Sequence, residues 1–246
     1  MECETNTHGV AIVTGASSGI GLKISETLCD LGYEVYGLGR DFSRTEYKTA
    51  EFVNGRFHAV VCDVLDTAKL CQTVKDITAE KEVEVLVNNA GVAYYGLHEE
   101  LNPKKIQEMV RTNLEVPMIL TQMLLRGFKK NAGCIINIAS VTANGANPHG
   151  CAYGATKAGL ASFAHSLFEE ARKYGVRVAT IYPDMTQTEL YRNADFTVGE
   201  EAESYILPEE VAQAVAFVLN QREGLDVTDL TLRPQFHRIR RKPGKR

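Results

Sequence analysis

Short apolar runs alternate along the chain with longer segments in which apolar residues recur every three or four positions. The short runs are rich in Val and Ile and predict buried strands at 10–14, 33–38, 57–61, 84–88, 134–139, 177–182 and 230–232. The segments with helical spacing lie at 19–31, 67–80, 104–127, 153–173 and 208–220. This alternation predicts an α/β fold in which a doubly wound parallel sheet of about seven strands carries helices on both faces.

No linker or internal repeat divides the sequence, so we expect one dinucleotide-binding and catalytic domain over residues 1–246. The stretch 41–56 is polar and irregular, and it predicts a weak helix at best. Residues 189–207 are expected to form a lid. Residues 237–246 form a strongly basic tail, for which we favour a disordered, solubilising role over binding to an anionic partner.

A glycine-rich loop joins the first predicted strand to the first predicted helix. Residues 14–21 have the sequence TGASSGIG. Such a loop lets backbone N–H groups approach a pyrophosphate, and the positive end of the helix dipole favours its charge. Glycine loops also serve as simple tight turns, but here the strand before the loop and the helix after it supply the context of a phosphate site.

A phenol and an amine lie one helical turn apart at Tyr153 and Lys157. An ammonium group beside a phenol favours the phenolate, so we expect Lys157 to lower the pKa of Tyr153 from its ordinary value near ~10. A phenol that titrates closer to neutral pH is an efficient general acid and base. Alone, the pair is also typical of many solvated helices.

Together these motifs resemble the short-chain dehydrogenase/reductase family, in its compact single-domain form with TGxxxGIG and YxxxK motifs. Further matches follow in the family's order from about Val10 to Pro234: Asp63-Val64, Asn88-Asn89-Ala90-Gly91, Asn113, Ser140 and Pro183. The resemblance implies a Rossmann-type fold and a nicotinamide cofactor. It places cofactor contacts at Gly15, Ser17, Ser18, Gly19, Ile20, Gly21, Arg40, Asp63, Val64, Asn89, Ala90, Gly91, Tyr153, Lys157, Pro183, Thr186 and Thr188.

The end of the second strand bears on the choice of cofactor. In the family, an acidic residue at the position of Gly39 goes with NAD, whereas this chain has glycine followed by Arg40. A guanidinium group pairs with a 2′-phosphate, so NADP(H) is favoured over NAD(H). In the alternative, Arg40 points to solvent and Asp41 binds the ribose.

The resemblance also implies a catalytic group of Asn113, Ser140, Tyr153 and Lys157. Tyr153 would be the acid in carbonyl reduction and the base in alcohol oxidation, and Lys157 would also bind the nicotinamide ribose. Ser140 and Tyr153 would contact the substrate, with Ser140 donating to its oxygen as charge develops there. Asn113 would help hold a water that links Lys157 to solvent.

The chain departs from the family after Pro183, where Asp184 replaces the usual glycine. We expect Asp184 to reshape the substrate entrance without abolishing cofactor binding. Aromatic residues of the predicted lid suggest an apolar alcohol or ketone, such as a steroid, although they are equally typical of lid packing. Tyr94, Tyr95, Asn147 and His149 are candidates for the same cleft.

The bulk properties limit the remaining possibilities. A net charge of −4 offers no overall attraction to nucleic acid, and no run of residues is long and apolar enough to cross a membrane. The N-terminus carries no signal-peptide pattern, and the six cysteines have no metal-ligand spacing, so we expect reduced thiols, no metal and a cytoplasmic location. The sequence thus predicts a homodimeric or homotetrameric oxidoreductase that transfers a hydride between NADP(H) and a secondary alcohol or ketone. The alternative is a non-catalytic, NADP-binding redox sensor.

Overall fold

A computed structural model describes residues 9–43 and 55–242 of the chain. In this part, the strands of the main sheet are β1 (Val10–Thr14), β2 (Glu34–Gly39), β3 (Phe57–Val61), β4 (Val83–Asn88), β5 (Cys134–Ile138), β6 (Arg177–Pro183) and, after a short strand outside the sheet, β8 (Asp229–Leu232). The order is β3-β2-β1-β4-β5-β6-β8, and every pair is parallel. The doubly wound Rossmann-type sheet is therefore confirmed.

The helices that flank the sheet are α1 (Gly19–Asp30), α2 (Thr67–Glu80), α3 (Pro103–Val110), α4 (Val116–Asn131), α5 (Cys151–Ala171) and α6 (Pro208–Leu219). Successive residues of a strand point to opposite faces, so the sheet has two apolar layers. Ala11 and Val13 of β1 belong to the layer shared with α1 and α6, whereas Ile12 belongs to the layer shared with α2, α4 and α5. Most of the predicted irregular stretch 41–56 lies outside the described residues.

The predicted helix 104–127 is observed as α3 and α4, which a π turn at Arg111–Glu115 joins without a break, and the sequence did not predict this turn. Val116 donates its N–H to the carbonyl of Arg111, five residues earlier. Pro117 has no N–H, so the ordinary helical hydrogen bond to the carbonyl of Asn113 cannot form. The proline explains the wider turn. It also leaves the carbonyl of Asn113 without its ordinary helical hydrogen bond, so that another donor could bind there.

The interpretation of the basic tail as disordered is also wrong for residues 237–242, and residues 243–246 lie outside the described part. Within this tail, β9 (Ile239–Arg241) pairs antiparallel with β7 (Phe196–Val198), a strand of the predicted lid segment. Glu200 and Glu201 of the lid meet Arg240 and Arg238 of the tail, both at 3.0 Å. Complementary charge and strand pairing thus order a tail that has no apolar pattern of its own.

Within the described ranges, no helix combines the length and the hydropathy needed to cross a bilayer. The five cysteines there are free thiols, of which Cys29, Cys62 and Cys134 are buried and Cys151 is exposed. In the same ranges, no group of three or more potential metal ligands is brought together.

Candidate active site

The carboxyl ends of the parallel strands open into one cleft of about 1170 Å³. In open α/β sheets this edge is where ligands bind. Every residue predicted to contact the cofactor lines the cleft, and so do Ser140 and Tyr153. Asn113 is the exception, since its side chain is fully buried beside the cleft rather than lining it.

The glycine loop fits closely between β1 and the start of α1. Gly15 and Gly19 have φ angles of +67° and +56°, which favour glycine. A Cβ on Gly21 would collide with the carbonyl oxygen of Gly15. Ser18 precedes α1 without capping it through its side chain, so the first N–H groups of the helix are left for another acceptor. The loop therefore fits an anionic group such as a pyrophosphate.

Thr14 links this loop to the end of β4. Its hydroxyl oxygen accepts the N–H groups of Asn89 and Ala90, each at 3.0 Å, and its hydroxyl donates to the carbonyl of Val87 at 3.3 Å. The amide group of Asn89 donates to the Thr14 carbonyl at 2.8 Å. These bonds hold the 89–91 loop against the glycine loop on one side of the cleft.

At the end of β2, the space is closed to a larger side chain at Gly39. A Cβ there would lie 2.9 Å from the Cβ of Ser17 and 2.9 Å from the ring of Phe42. The exposed Arg40 lines the cleft, whereas the Asp41 carboxylate accepts the N–H of Ser43 at 2.8 Å. The structure thus has a cleft-lining cation directly after a glycine position that has no space for a side chain.

Tyr153 and Lys157 lie on one face of α5, and both are almost completely buried. Burial raises the pKa of Tyr153 to about 12, and the hydrogen bond with Ser140 lowers it only in part. The expectation that Lys157 brings the pKa of Tyr153 below its ordinary value is therefore wrong in this structure. The reason is that desolvation opposes the phenolate, while the Lys157 amine donates to the carbonyl of Ile138 at 2.7 Å and lies 5.9 Å from the centre of the tyrosine ring.

Burial also lowers the pKa of Lys157 to about 8, because an apolar environment disfavours the ammonium form. The carbonyl of Ile138 uses one of the three N–H groups that a lysine ammonium carries. Lys157 is thus a cleft residue whose amine is held in place, and its lowered pKa lies close to neutral pH.

The side chain of Asn113 is a structural link. Its amide oxygen accepts the N–H of Val92 at 2.9 Å, and its amide group donates to the carbonyl of Val92 at 2.9 Å and to the hydroxyl of Thr156 at 3.0 Å. These bonds join the π turn to the loop after β4 and to α5. Any contact of Asn113 with a water near Lys157 therefore falls to its backbone carbonyl rather than to its side chain.

Three aromatic rings line the cleft next to Tyr153, and we call them the aromatic wall. They belong to Tyr95, Tyr191 and Phe196, and Tyr95 lies 5.9 Å from Tyr153 and 4.9 Å from Phe196 between ring centres. Burial raises the pKa of Tyr95 and of Tyr191 far above the ordinary value, so both are neutral phenols. The aromatic wall thus presents uncharged rings beside Tyr153.

Residues 9–197 match the short chain dehydrogenase family over more than half of the chain. The chain belongs to this family. The family assignment makes it an oxidoreductase, and it agrees with the expectation from the motifs.

Two relatives and one solved structure illustrate the similarity. An uncharacterised oxidoreductase of Staphylococcus saprophyticus is 30% identical over 230 residues, which cover 92% of this chain and 97% of the relative. The 3-oxoacyl-[acyl-carrier-protein] reductase of Escherichia coli is 31% identical over 235 residues, which cover 91% and 94%. The structure of an alcohol dehydrogenase from Thermococcus sibiricus, complexed with 5-hydroxy-NADP, has a TM-score of 0.82 and 26% identity over 94% of this chain and 98% of that one.

Several cleft residues of this short-chain dehydrogenase were not expected from the motifs. Of the sequence candidates, Tyr95, Asn147 and His149 line the cleft, whereas the hydroxyl of Tyr94 bonds to Glu108 instead. The motifs gave no indication of the cleft residues supplied by the C-terminal segment: Arg233, His237, Ile239 and Arg241. Only the opposite charges of the lid and the tail could have signalled this arrangement.

Proposed function

We propose that this short-chain dehydrogenase transfers a hydride between NADP(H) and a secondary alcohol or ketone. The observation that carries the proposal is the placement of Tyr153, Ser140 and Lys157 in the same cleft as the open glycine loop. A redox sensor that only bound the cofactor would have no need of a buried proton donor beside it.

The residues of the cleft fit a dinucleotide along its length. The glycine loop and the start of α1 would hold the pyrophosphate, Asp63 would accept from the adenine amino group, and Asn89 to Gly91 would lie beneath the adenosine ribose. Val64, Pro183, Thr186 and Thr188 complete the proposed contacts. When bound, the nicotinamide supplies the hydride in reduction or accepts it in oxidation.

Tyr153 would deliver the proton. Its raised pKa keeps the phenol protonated in the free protein, as a general acid for carbonyl reduction requires. Ser140 is held near it by its bond to the N–H of Thr142 at 3.2 Å, and its hydroxyl would donate to the substrate oxygen. Loss of this proton to the substrate oxygen would become easier with a cation near the phenolate that forms, and Lys157 is the buried amine that would provide one.

Lys157 would bind the nicotinamide ribose with the N–H groups that Ile138 does not use. The carbonyl of Asn113, which the proline at 117 leaves without its helical partner, would hold the water that connects Lys157 to solvent. Asn113 is thus proposed to contribute through its backbone, with its side chain keeping the π turn in place.

The preference for NADP(H) rests on charge and space at the end of β2. Arg40 would pair with a 2′-phosphate, and the closed space at Gly39 leaves no room for the carboxylate that would bind a ribose hydroxyl pair. The similar alcohol dehydrogenase that was solved with 5-hydroxy-NADP is in keeping with this preference.

The aromatic wall favours an apolar ketone, such as a steroid ketone, over a sugar. A 3-oxoacyl thioester is the second candidate, because a relative of 31% identity is named as a 3-oxoacyl-[acyl-carrier-protein] reductase. Both have a ketone for Tyr153 to protonate, and both would place apolar groups against the wall.

The test is the consumption of NADPH with a panel of aliphatic, aromatic and steroid ketones and a 3-oxoacyl thioester. For any substrate found, Tyr153→Phe is expected to lower kcat by a factor of at least ~100, since general acid catalysis contributes that much. Tyr94→Phe is the matched control, because its hydroxyl bonds to Glu108 and its ring does not line the cleft. Equal turnover by Tyr153→Phe and the native protein would overturn the mechanism.

A further inference from the structure

The segment after β8 forms one wall of the substrate cleft. We call residues 233–242 the C-terminal arm. The arm runs from the sheet to the lid, and four of its side chains line the cleft: Arg233, His237, Ile239 and Arg241. Because β9 pairs with β7, which carries Phe196 of the aromatic wall, the arm borders the part of the cleft beside that wall.

The backbone of the arm is bonded to the lid along much of its length. Besides the β7–β9 pairing, the N–H of Lys242 donates to the carbonyl of Asp195 at 2.7 Å. Earlier in the arm, the N–H of Phe236 donates to the carbonyl of Glu203 at 2.9 Å. The arm therefore completes a small sheet with the lid rather than lying loosely over it.

The amine of Lys242 closes the end of the short helical turn Glu189–Asn193. It donates to the carbonyl of Tyr191 at 2.6 Å and to that of Ala194 at 3.1 Å, and it lies 3.5 Å from the carbonyl of Arg192. The carbonyl of Tyr191 also accepts the N–H of Ala194 at 3.0 Å, so Lys242 adds a second donor there and places a cation at the C-terminal end of the turn. Because Tyr191 belongs to the aromatic wall, Lys242 fixes the backbone from which that ring projects.

Asp184 anchors the other end of the arm. Its side chain is only 9% exposed and has Arg233 at 3.7 Å and His237 at 3.8 Å. The Asp184 carboxylate also accepts the N–H of Met185 at 2.8 Å, and this bond keeps the carboxylate in place. The residue that departs from the family pattern thus faces the guanidinium group of Arg233 and the ring of His237, both from the arm.

We propose that Asp184 and the C-terminal arm form a clasp that determines substrate specificity. The clasp holds the lid so that the aromatic wall faces Tyr153, and Ile239 and Arg241 of the arm limit how far a ketone's substituents extend from the carbonyl. The proposal rests on the function proposed above for its substrate class, but the contacts that hold the lid exist without any substrate.

The pairing of the arm also speaks against a nucleic-acid role for this basic segment. Arg238 and Arg240 are engaged by Glu201 and Glu200, and Lys242 is bound to backbone carbonyls. Three of the five Arg and Lys residues of the arm are therefore engaged by the lid, which reduces the positive charge offered to phosphates.

The first test is amide hydrogen exchange on the full chain, the Lys242→Met variant and a chain that ends at Pro234. Loss of the Lys242 bonds is expected to speed exchange in residues 190–198 by about tenfold, because charge-assisted hydrogen bonds stabilise the segment locally. Lys75→Met, on the exposed face of α2, is the control and should leave this segment unchanged. Equal exchange in the native chain and in both variants would overturn the clasp.

The second test compares kcat/KM for a compact and a bulky ketone that the panel shows to be substrates. For the chain that ends at Pro234 and for Asp184→Asn, the kcat/KM for the bulky ketone relative to that for the compact ketone is expected to rise by about tenfold or more, because a wall that excludes extra methylenes discriminates by this order. The affinity of both variants for NADP⁺ is expected to change by less than about twofold. An unchanged ratio would overturn the specificity role even if the lid exchanged faster. If no ketone is turned over, the proposed function fails, while the exchange result still decides whether the arm holds the lid.

Discussion

At the scale of single residues, burial sets the proton affinities of the cleft more strongly than neighbouring charge does. It raises the pKa of Tyr153 to about 12 and lowers that of Lys157 to about 8, so each group moves toward its neutral form. The motif correctly predicted which two groups meet on α5. It could not predict the direction of the tyrosine shift, because that depends on the amount of protein packed around the ring.

The lowered pKa of Lys157 predicts how its contribution to stability changes with pH. Between pH 8 and 10.5 the unfolded chain holds this proton more often than the folded chain does, so the contribution becomes more favourable as pH rises. Relative to Lys157→Met, the native free energy of unfolding is expected to rise by about 2 kcal/mol between pH 7 and roughly pH 9.5. Urea unfolding at a series of pH values measures this difference, in which all the unchanged groups cancel. Lys75→Met should give a flat difference, and a flat difference for Lys157→Met would contradict the prediction.

Arg40 leads to a prediction about cofactor choice. Arg40→Gln is expected to weaken NADP⁺ binding by about tenfold to a hundredfold and to leave NAD⁺ binding nearly unchanged, because a charge-assisted bond to the 2′-phosphate is lost. Titration calorimetry with both cofactors measures the two affinities. Arg222→Gln, beyond the end of α6, is the control. If Asp41→Asn instead weakened NAD⁺ binding while Arg40→Gln changed nothing, Asp41 would be the ribose ligand and the preference would be for NAD(H).

At the scale of helices and strands, the sequence predicted the elements whose own apolar spacing shows which of their faces are buried. Each predicted strand agrees with an observed one to within one or two residues at each end, since its Val and Ile residues face two apolar layers. The π turn was missed because the apolar spacing continues across it, although Pro117 within the segment was a usable signal. Strand β9 was missed because Ile239 to Arg241 have no strand pattern, and their partner lies about forty residues earlier in the chain.

Asn113 connects three of these elements and gives a prediction at this scale. Asn113→Ala removes two bonds to Val92 and one to Thr156, leaving buried backbone groups without partners, so we expect a loss of about 3 kcal/mol in stability. For a chain of this size, that lowers the melting temperature by about 10 °C. Calorimetry measures it against Asn131→Ala, which loses one bond to the carbonyl of Val83. A melting temperature for Asn113→Ala no lower than that of Asn131→Ala would show that the link is not structural.

At the scale of the whole molecule, the acidic lid and the basic tail show that charges which nearly cancel over the chain are grouped in separate segments. Each looks like a solvated, single-sign segment in the sequence, yet the structure brings them together beside the β7–β9 pairing. The net charge of −4 is therefore a poor guide to the local field around the substrate. The residues predicted from the motifs line the cleft, whereas the side of the cleft near the lid also uses contacts between distant segments that have no motif.

The outer surface of the helix layer formed by α3 and α4 predicts the oligomeric state. Val110 and Met118 are 42% and 37% exposed there, and large apolar side chains at the surface of long helices favour a helix-to-helix contact between copies of the chain. In a symmetric dimer each residue is buried twice, and Met118→Asp puts a carboxylate at both positions, so it is expected to weaken association by about tenfold or more.

Sedimentation at micromolar concentration tests this prediction. The native chain, of 27.1 kDa, should sediment as a dimer or tetramer, and Met118→Asp should shift toward the monomer with its NADP⁺ affinity retained. Phe217→Asp on α6, where the side chain is 53% exposed, is the matched control. If α3 and α4 form the primary interface, this control leaves at least the dimer intact. A native monomer would contradict the predicted oligomer. A dimer that only Phe217→Asp disrupts would place the contact elsewhere, because a buried carboxylate without a partner is not tolerated at a true interface.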